Sequence, residues 1–249
     1  MTADAPTILA TSGGIVASDR LMWELGPLTE YAIELAGTTG RAPKVCFLAT
    51  ALGDNSYTLQ RFYDAAQARG LAASHLALFP MPNVGDITEH LLAQDVIWVF
   101  GGSVAGLLAM WRLHGVDHAM RAAWQAGVVL TGVSAGSICW HVGGTTDSYG
   151  PTLRPITNGL GLVPYSNGVH YDVESQRRPL FQQLIAEKTL PAGYATDNGV
   201  GLLYRGSEFV EAVTEVAGKG AYFVCRGEDG AAAETRLQVR VLPNATRTL

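Results

Sequence analysis

A serine at a strand-to-helix turn is the residue of this sequence best suited to chemistry. Ser134 lies in Gly132-Val-Ser-Ala-Gly136, between an apolar run that begins at Val128 and a short helical pattern. A sharp turn of this kind, a nucleophile elbow, projects the serine hydroxyl from the edge of a sheet and favours glycine two residues to either side. The sequence therefore predicts that Ser134 is a nucleophile. The alternative is a Gly-rich turn without catalytic use.

Two backbone amides are candidates for an oxyanion hole. The amide of Ala135 follows the serine directly, and Gly101-Gly102 forms another Gly-rich turn after the apolar stretch Asp95 to Phe100. Amides aimed at a substrate carbonyl stabilise the negative charge that develops on its oxygen. The pattern predicts that Gly102 and Ala135 supply them. Glycines that merely let a helix pack on a strand are the competing explanation for Gly101 and Gly102.

A serine nucleophile needs a general base, and histidine titrates nearest neutral pH. His141 lies two helical turns after Ser134, roughly 10 Å along the axis at 1.5 Å per residue, which is too far for a direct hydrogen bond. His114 and His118 have metal-ligand spacing, but no further ligands accompany them and a solvated helix face explains them better. His170 follows an irregular segment that can carry it over Ser134, and it is the predicted base.

The group that orients the histidine is not settled by spacing. Asp147, Asp172, Glu174 and Asp197 all lie downstream of the elbow. Asp172, only two residues from His170, is expected to shape its own loop. Asp197 precedes a predicted strand and Asp147 follows the elbow helix, and both remain open as the orienting acid.

Short apolar runs alternate with helical patterns through the first half of the chain. The runs starting at Thr7, Lys44 and Asp95 are typical of buried parallel strands, and Leu21 to Ala36 has helical periodicity. This alternation predicts an α/β fold with a mostly parallel central sheet covered by helices on both faces. Ligands bind such sheets beyond the carboxyl ends of the strands, where the Gly-rich turns at Gly13, Gly101 and Gly132 would converge.

The second half of the chain has a different pattern. Residues 143–164 are rich in Gly, Thr and Pro and are expected to form a loop-heavy segment. Four later stretches have strand character and are expected to form C-terminal β-hairpins: residues 199–204, 208–213, 221–225 and 237–242.

Composition excludes several classes of protein. The 249 residues are 48% hydrophobic with a net charge of -5, which suits one soluble domain over residues 1–249 and argues against a nucleic-acid partner. Three cysteines without C-x-x-C spacing indicate neither disulfides nor a zinc site, so no metal is expected. Because no signal sequence or membrane-spanning run is recognisable, a cytoplasmic location without membrane association is expected.

These motifs together resemble the peptidase E and cyanophycinase family of serine peptidases. The resemblance rests on Phe100-Gly-Gly-Ser, Gly132-Val-Ser-Ala-Gly-Ser137, Gly168-Val-His-Tyr-Asp172 and Thr196-Asp-Asn-Gly199, within about residues 95 to 205. It implies a flavodoxin-like, class I glutamine-amidotransferase-like fold, no cofactor, and a monomer or homodimer. The resemblance favours Asp197 as the acid, with a second family placement near Asp147. The usual Gly-Gly-Asn-Thr and Glu-Gly are replaced here by Gly-Gly-Ser-Val and Asp-Asn-Gly.

Hydrolysis of small peptides through an acyl-enzyme is the function that this resemblance implies. Peptidase E cleaves dipeptides that begin with aspartate, and their side-chain carboxylate would need a cation. Arg177 and Arg178, soon after His170, are the predicted substrate-binding residues. The alternatives are hydrolysis of another acyl bond, such as a β-aspartyl peptide or an ester, and a non-catalytic ligand-binding protein of the same fold.

Overall fold

A computed structural model describes the backbone of residues 3–246 and the side chains of residues 3–243. The helices within this range are α1 Pro27–Leu35, α2 Ser56–Ala68, α3 Ile87–Leu92, α4 Val104–His114, α5 Val116–Gln125, α6 Ala135–Ile138 and α7 Arg177–Ala186, with a 3₁₀ helix at Thr50–Leu52. The strands are β1 Thr7–Thr11, β2 Ile15–Ser18, β3 Met22–Leu25, β4 Lys44–Leu48, β5 Ala72–His75, β6 Val96–Val99, β7 Val129–Val133, β8 Gly143–Thr146, β9 Arg154–Ile156, β10 Ser166–Gly168, β11 Gly193–Thr196, β12 Val200–Arg205, β13 Glu208–Val216, β14 Ala221–Arg226, β15 Ala232–Arg236 and β16 Val239–Thr246.

The main sheet has eight strands in the order β16-β13-β12-β1-β7-β6-β4-β5. Strands β1, β7, β6, β4 and β5 are parallel to one another, and β12 joins this block antiparallel to β1. All four residues of β6 are buried, as expected for a strand covered on both faces. The predicted α/β fold with a mostly parallel sheet is therefore confirmed.

A second, six-stranded sheet has the order β15-β14-β11-β10-β8-β9. Strands β8 and β9, as well as β10 just beyond, come from or border the segment expected to be loop-heavy, so that expectation is wrong in part. Gly143 and Gly144 pair closely with neighbouring backbone, and a Cβ at either position would collide with a carbonyl oxygen. These two glycines therefore indicate close packing of strands rather than a flexible loop.

The expected C-terminal hairpins are present, with two differences, because β15 was not among the expected strands and the strand expected at residues 237–242 pairs elsewhere. Strands β12 and β13 form one antiparallel pair, and β14 and β15 form another. The last predicted strand, β16, pairs parallel with β13 instead of turning back on its sequence neighbour. Local alternation predicts a strand, but its partner depends on where the main sheet has an open edge.

The helix expected from Leu21 to Ala36 begins only at Pro27. The preceding residues form a hairpin of β2 and β3, and α1 starts immediately after Gly26. Proline suits the first turn of a helix because it lacks the N–H that would have no partner there. The carboxylate of buried Glu215 accepts hydrogen bonds from Leu28 N and Gly14 N, so a residue distant in sequence caps this helix.

Aromatic packing joins the helices to the main sheet. Phe47 on β4 stacks on Trp98 of β6, with ring centroids 4.5 Å apart and an interplanar angle of 7°. Trp98 also donates a hydrogen bond from Nε1 to Thr29 of α1. Each such aromatic pair contributes about 0.5–1.5 kcal/mol beyond its buried area. The parallel strands are therefore held in place below the turns that end them.

In the described part of the chain, no helix combines the length and apolarity needed to cross a bilayer.

Candidate active site

Ser134 lies between β7 and α6 in a backbone conformation that few side chains adopt. Its φ and ψ are 57° and -110°. A Cβ at Gly132 or at Gly136 would collide with the carbonyl oxygen of Val99, so both flanking positions require glycine. The left-handed φ of a serine costs energy that the surrounding structure must offset. The turn therefore has the backbone geometry of the predicted nucleophile elbow.

The end of β1 holds both Ser134 and His170. Ser134 N donates to Thr11 O at 3.1 Å, and His170 N donates to the hydroxyl of Ser12, the next residue, at 3.3 Å. Ser12 Oγ also lies 2.7 Å from Thr196 Oγ1. The structure thus brings the predicted nucleophile and the predicted base to one strand end, although 36 positions separate them in the sequence.

His170 is held from one side only. It has a left-handed φ of 53°, and its Nδ1 lies 2.5 Å from Oδ1 of Asn198. An amide oxygen can only accept a hydrogen bond, so Nδ1 donates in this contact and Nε2 is the ring nitrogen that is left for a substrate. Neither His170 Nε2 nor Ser134 Oγ has a hydrogen-bond partner among the described residues. Both groups are half-buried and available to a substrate.

The orienting group is therefore an amide, and the expectation for Asp197 needs correction. The Asp197 carboxylate accepts hydrogen bonds from Gly220 N at 2.8 Å and from the Tyr222 hydroxyl at 3.5 Å, not from His170. Burial raises the pKa of this carboxyl above its usual range. Asn198, the next residue in the turn between β11 and β12, is the one whose side chain reaches the histidine. The departure from Glu-Gly to Asp-Asn-Gly already marked this position in the sequence.

Asp147, the alternative acid, is not bonded to His170 either. Its side chain is exposed and lines a cleft of about 320 Å³ together with Pro151, Leu153 and residues 173–176. This cleft adjoins the loop that follows His170. The structure leaves the Asp147 carboxylate without a described hydrogen-bond partner, and it does not place it behind the imidazole.

Asp172 acts on the site through Asn198. Its carboxylate accepts hydrogen bonds from Asn198 N at 2.9 Å and from Lys219 Nζ at 2.6 Å. Burial opposes ionisation of Asp172, but these two hydrogen bonds outweigh it and lower its pKa. Asp172 is not bonded to the imidazole, but the groups that it holds lie outside its own loop: Lys219 and the backbone of Asn198, the residue that contacts His170.

The turn after β6 packs directly against Ser134. A Cβ on Gly101 would lie 3.2 Å from Ser134 Cβ, and Gly102 has a φ of 128° with its Cα facing Ala51 O. Ser103 N donates to Ala51 O at 2.9 Å, and the Ser103 hydroxyl caps α4 by accepting from Gly106 N. The amides of Gly102 and Ala135 donate to no described residue. Both are thus available to an oxyanion beside Ser134.

The two arginines predicted to bind substrate are engaged elsewhere. Arg177 is only 2% exposed, donates to Thr145 O, and is 2.6 Å from the Glu174 carboxylate. Arg178 pairs with Glu234 and lies over the rings of Tyr171 and Tyr222. Their guanidinium groups tie α7 to the second sheet. Neither guanidinium is therefore free to bind a substrate carboxylate as predicted, because Arg177 is paired with Glu174 three residues earlier and with the backbone of β8, and Arg178 is paired with Glu234 on β15.

His141 has a structural place, as its distance from Ser134 predicts. Its Nδ1 lies 2.9 Å from Ser137 O and its Nε2 lies 3.1 Å from the Tyr204 hydroxyl, in a fully buried position. Burial lowers the pKa of His141 to about 4, so this ring is neutral near pH 7. His114 ends α4, and Gly115 separates it from His118 on α5, so the two are not on one helix. Across the described residues, no group of three or more metal-ligating side chains is assembled.

Replacing Asn198 by alanine is expected to lower kcat by roughly 10- to 100-fold, because the variant loses the hydrogen bond that orients the imidazole. The loss is limited to this range because a neutral amide does not balance the full charge of the imidazolium. Asn198→Asp is expected to retain activity, since a carboxylate accepts the same hydrogen bond. The matched controls Asp197→Asn and Asp147→Asn are expected to remain within about threefold of the unmodified protein. Steady-state kinetics of the four variants decide the matter, and a larger loss from Asp147→Asn than from Asn198→Ala would contradict this assignment.

A protein-family model and a known protein each match most of this chain. The model of peptidase family S51 matches residues 8–212. The chain is 42% identical over 200 residues to the uncharacterized peptidase YgaJ of Bacillus subtilis (strain 168), covering 80% of this chain and 85% of that protein.

Solved structures share the fold. A peptidase from an acI-B1 Actinobacterium superposes with a TM-score of 0.67 at 16% identity, covering 94% of this chain and 95% of that one. A putative peptidase E protein from Listeria monocytogenes EGD-e superposes with a TM-score of 0.58 at 22% identity, covering 82% and 96%. The family match spans the elbow, the base and both Gly-rich turns around them. The chain belongs to peptidase family S51 and is a peptidase.

Proposed function

We propose that this peptidase hydrolyses small peptides through an acyl-enzyme on Ser134, with His170 as general base. The observation that carries the proposal is that two residues with a left-handed φ, Ser134 and His170, donate from their amides to Thr11, the last residue of β1, and to Ser12, which follows it, while their reactive atoms are uncommitted. Strain of this kind persists where the surrounding structure enforces it, and it is concentrated at functional sites. The restriction to small peptides rests on the resemblance to peptidase E.

The first half-reaction would proceed through a tetrahedral intermediate. His170 Nε2 takes the proton of the Ser134 hydroxyl while Oγ bonds to the substrate carbonyl carbon, and the carbonyl electron pair moves to oxygen. The amides of Gly102 and Ala135 donate to this oxyanion. As the carbon–nitrogen bond breaks, the imidazolium gives its proton to the departing amine. An ester then joins the acyl group to Ser134.

Water completes the cycle by hydrolysing the ester through a second tetrahedral intermediate. His170 removes a proton from water as the water oxygen bonds to the ester carbon, and the second intermediate collapses with release of Ser134 Oγ. The proton on His170 returns to Oγ, and the peptide fragment leaves as an acid. Asn198 holds the ring in one tautomer throughout, which makes Nε2 the atom that exchanges protons.

An N-terminal aspartate as the preferred residue would need a cation near the acyl group. Arg177 and Arg178 cannot serve, because both are bound to carboxylates of the chain itself. The proposal therefore includes peptide hydrolysis and the acyl-enzyme, with Asp-X dipeptides as one substrate class to be compared with others. A cytoplasmic location and a monomer or homodimer belong to the same proposal, and the free thiols of Cys46, Cys139 and Cys225 suit a reducing compartment.

A fluorophosphonate probe tests the proposed nucleophile without any knowledge of the substrate. We expect one covalent adduct per chain, located on Ser134 by mass spectrometry of the digested protein. Ser134→Ala should remove the label, and His170→Gln should slow labelling by about 100-fold or more. Failure to label, or equal labelling of Ser134→Ala, would indicate a ligand-binding protein without this chemistry.

A further inference from the structure

The proposed nucleophile and the proposed base belong to different sheets. Ser134 follows β7 in the interior of the eight-stranded sheet, whereas His170 lies two residues beyond β10 of the six-stranded sheet. Under the proposed function, on which this inference rests, the imidazole must come within hydrogen-bond reach of the serine hydroxyl. A misplacement of about 1 Å at such a site can lower the rate about 100-fold. The contacts that join the two sheets at this point therefore bear on catalysis.

The Ser12 hydroxyl joins the two sheets at His170 itself. Ser12 follows β1, which neighbours β7 in the main sheet. Its Oγ accepts a hydrogen bond from His170 N at 3.3 Å and lies 2.7 Å from Oγ1 of Thr196, the last residue of β11 in the second sheet. A hydroxyl has one proton and two lone pairs, so it accepts from the amide and still shares a second hydrogen bond with Thr196. An aliphatic side chain at position 12 would make neither contact.

The backbone around Ser12 is bonded to the main sheet on both sides. Its N–H donates to the first residue of β12 at 2.8 Å, and its carbonyl accepts from Gly199 N at 2.9 Å. Gly199 directly follows Asn198, whose side chain contacts the imidazole. On the other side, Thr11 O accepts from Ser134 N at 3.1 Å. Two consecutive residues thus contact the nucleophile, the base and the neighbour of the residue that orients the base.

The other hydrogen bonds of His170 do not tie it to the strand that carries the nucleophile. Glu174 N donates to His170 O at 3.2 Å, and Glu174 belongs to the loop that follows the base. Asn198 reaches the ring from the turn between β11 and β12. The φ of 53° is unfavourable for a histidine, so the surrounding structure must hold this backbone in place. Without the Ser12 hydroxyl, the base is expected to relax away from this conformation.

Burial makes the Ser12 contact difficult to replace by water. Ser12 is 3% exposed, and Thr196 is fully buried. Truncation of Ser12 to alanine would leave the amide of His170 and the hydroxyl of Thr196 without this partner, which is unfavourable for polar groups away from solvent. The loop that carries His170 is then expected to shift until its amide finds another acceptor.

A second buried hydroxyl joins the sheets without touching the base. Ser137 on α6 donates to Oδ1 of Asn167 on β10 at 2.8 Å. Asn167 lies inside a strand that pairs with β8 on one side and with β11 on the other, so backbone hydrogen bonds already fix its position. His170 is three residues further along, beyond the end of that strand. Loss of the Ser137 hydroxyl is therefore expected to leave the base in place.

We propose that Ser12 is a positioning residue for His170, whose hydroxyl couples the end of β1, and with it the nucleophile, to the second sheet that carries the base. Ser12 contacts the backbone of the base and not its ring. Its effect on the reaction is therefore transmitted through the placement of the imidazole, and it disappears when the imidazole is absent.

The rate of fluorophosphonate labelling of Ser134 tests the proposal without any knowledge of the substrate. We expect Ser12→Ala to lower the second-order rate constant of labelling by about 10-fold or more, although less than His170→Gln does, because the base is displaced but retained. Ser137→Ala removes the other hydroxyl between the sheets and is the matched control. Its rate constant should stay within about threefold of that of the unmodified protein, because β10 is held by backbone hydrogen bonds. Thermal unfolding of each variant fixes a labelling temperature at which all of them are folded.

A double variant separates positioning of the base from a general loss of structure. Ser12→Ala combined with His170→Gln should be labelled within about twofold of the rate for His170→Gln alone, because two changes that act through one group are not additive. A second variant, Thr196→Val, keeps the shape of threonine and removes the partner of the Ser12 hydroxyl. It should slow labelling by about threefold or more, and this loss should likewise vanish beside His170→Gln.

Three results would overturn the proposal. The first is labelling at the unmodified rate in Ser12→Ala or, should that variant not fold, in Thr196→Val. The second is a further loss of about 10-fold when Ser12→Ala is added to His170→Gln, which would show that Ser12 acts on the fold rather than on the base. The third is an equal loss in Ser12→Ala and Ser137→Ala. Absence of labelling in the unmodified protein would refute the proposed function itself, so the two failures are distinguishable.

Discussion

Replacing Ser134 by alanine is expected to reduce kcat by at least about 10⁴-fold, because no other described group at this turn can form the ester that divides hydrolysis into two steps. The backbone should be retained. The hydrogen bond from the residue 134 amide to Thr11 O does not involve the hydroxyl, and alanine experiences the same left-handed strain as serine. The measurement is turnover of the substrate that the unmodified protein hydrolyses fastest, together with thermal unfolding of both proteins.

Ser137→Ala is the matched control on the same short helix. Ser137 is fully buried, and its hydroxyl donates to Asn167 Oδ1 at 2.8 Å. Its loss leaves a buried acceptor without a partner and is expected to cost about 1–3 kcal/mol of the free energy of unfolding. Activity should change little. A variant that is less stable but active, beside one that is stable but inactive, separates a catalytic hydroxyl from a structural one. Residual turnover above about a tenth in Ser134→Ala would refute the acyl-enzyme.

Replacing Gly102 by alanine is expected to reduce kcat by about 10²- to 10³-fold, the usual effect of removing one oxyanion donor. A methyl group there would collide with Ala51 O, and the φ of 128° is unfavourable for any side chain. The turn must therefore shift, and under the proposed function its amide would no longer donate to the carbonyl oxygen of a substrate beside Ser134. KM should change less than kcat, because the interaction strengthens as charge develops in the transition state.

Gly115→Ala separates loss of the amide from general backbone strain. Gly115 also has a positive φ, 70°, but a Cβ there would meet no atom within 4 Å. This variant is expected to lose about 1 kcal/mol of stability and to keep its kcat. Unchanged kcat in Gly102→Ala would show that the oxyanion is stabilised elsewhere. Equal losses in both variants would attribute the effect to stability.

Local patterns predict much of the fold because adjacent residues decide them. The strands β1, β4 and β6 have largely apolar sequences, because both of their faces are covered and neither contacts water. The helix α3 has a cap of this local kind, with Asp86 Oδ1 accepting from Glu89 N at 2.9 Å. The errors arise where a distant partner decides, as at the β2–β3 hairpin, where helical periodicity is overridden by packing against α2 and Phe100.

The sharp turn at Ser134 was determined by the sequence itself. Glycine two residues before and two after Ser134 is required by the close approach of β6, and this requirement is visible in five consecutive letters. His170, the proposed base, was also predictable, because few histidines are compatible with the chain order.

Only the tertiary structure decided which side chain faces His170 and what the arginines do. Asp197 and Asn198 are neighbours, and the direction in which each projects depends on how the chain leaves β11. Arg178 finds Glu234 across 56 positions of sequence, on a strand that pairs within the second sheet. Side-chain direction and long-range pairing follow from strand order and register, which no local spacing encodes. For that reason the elbow can be identified from the sequence, whereas the side chain that contacts His170 had to be found in the folded chain.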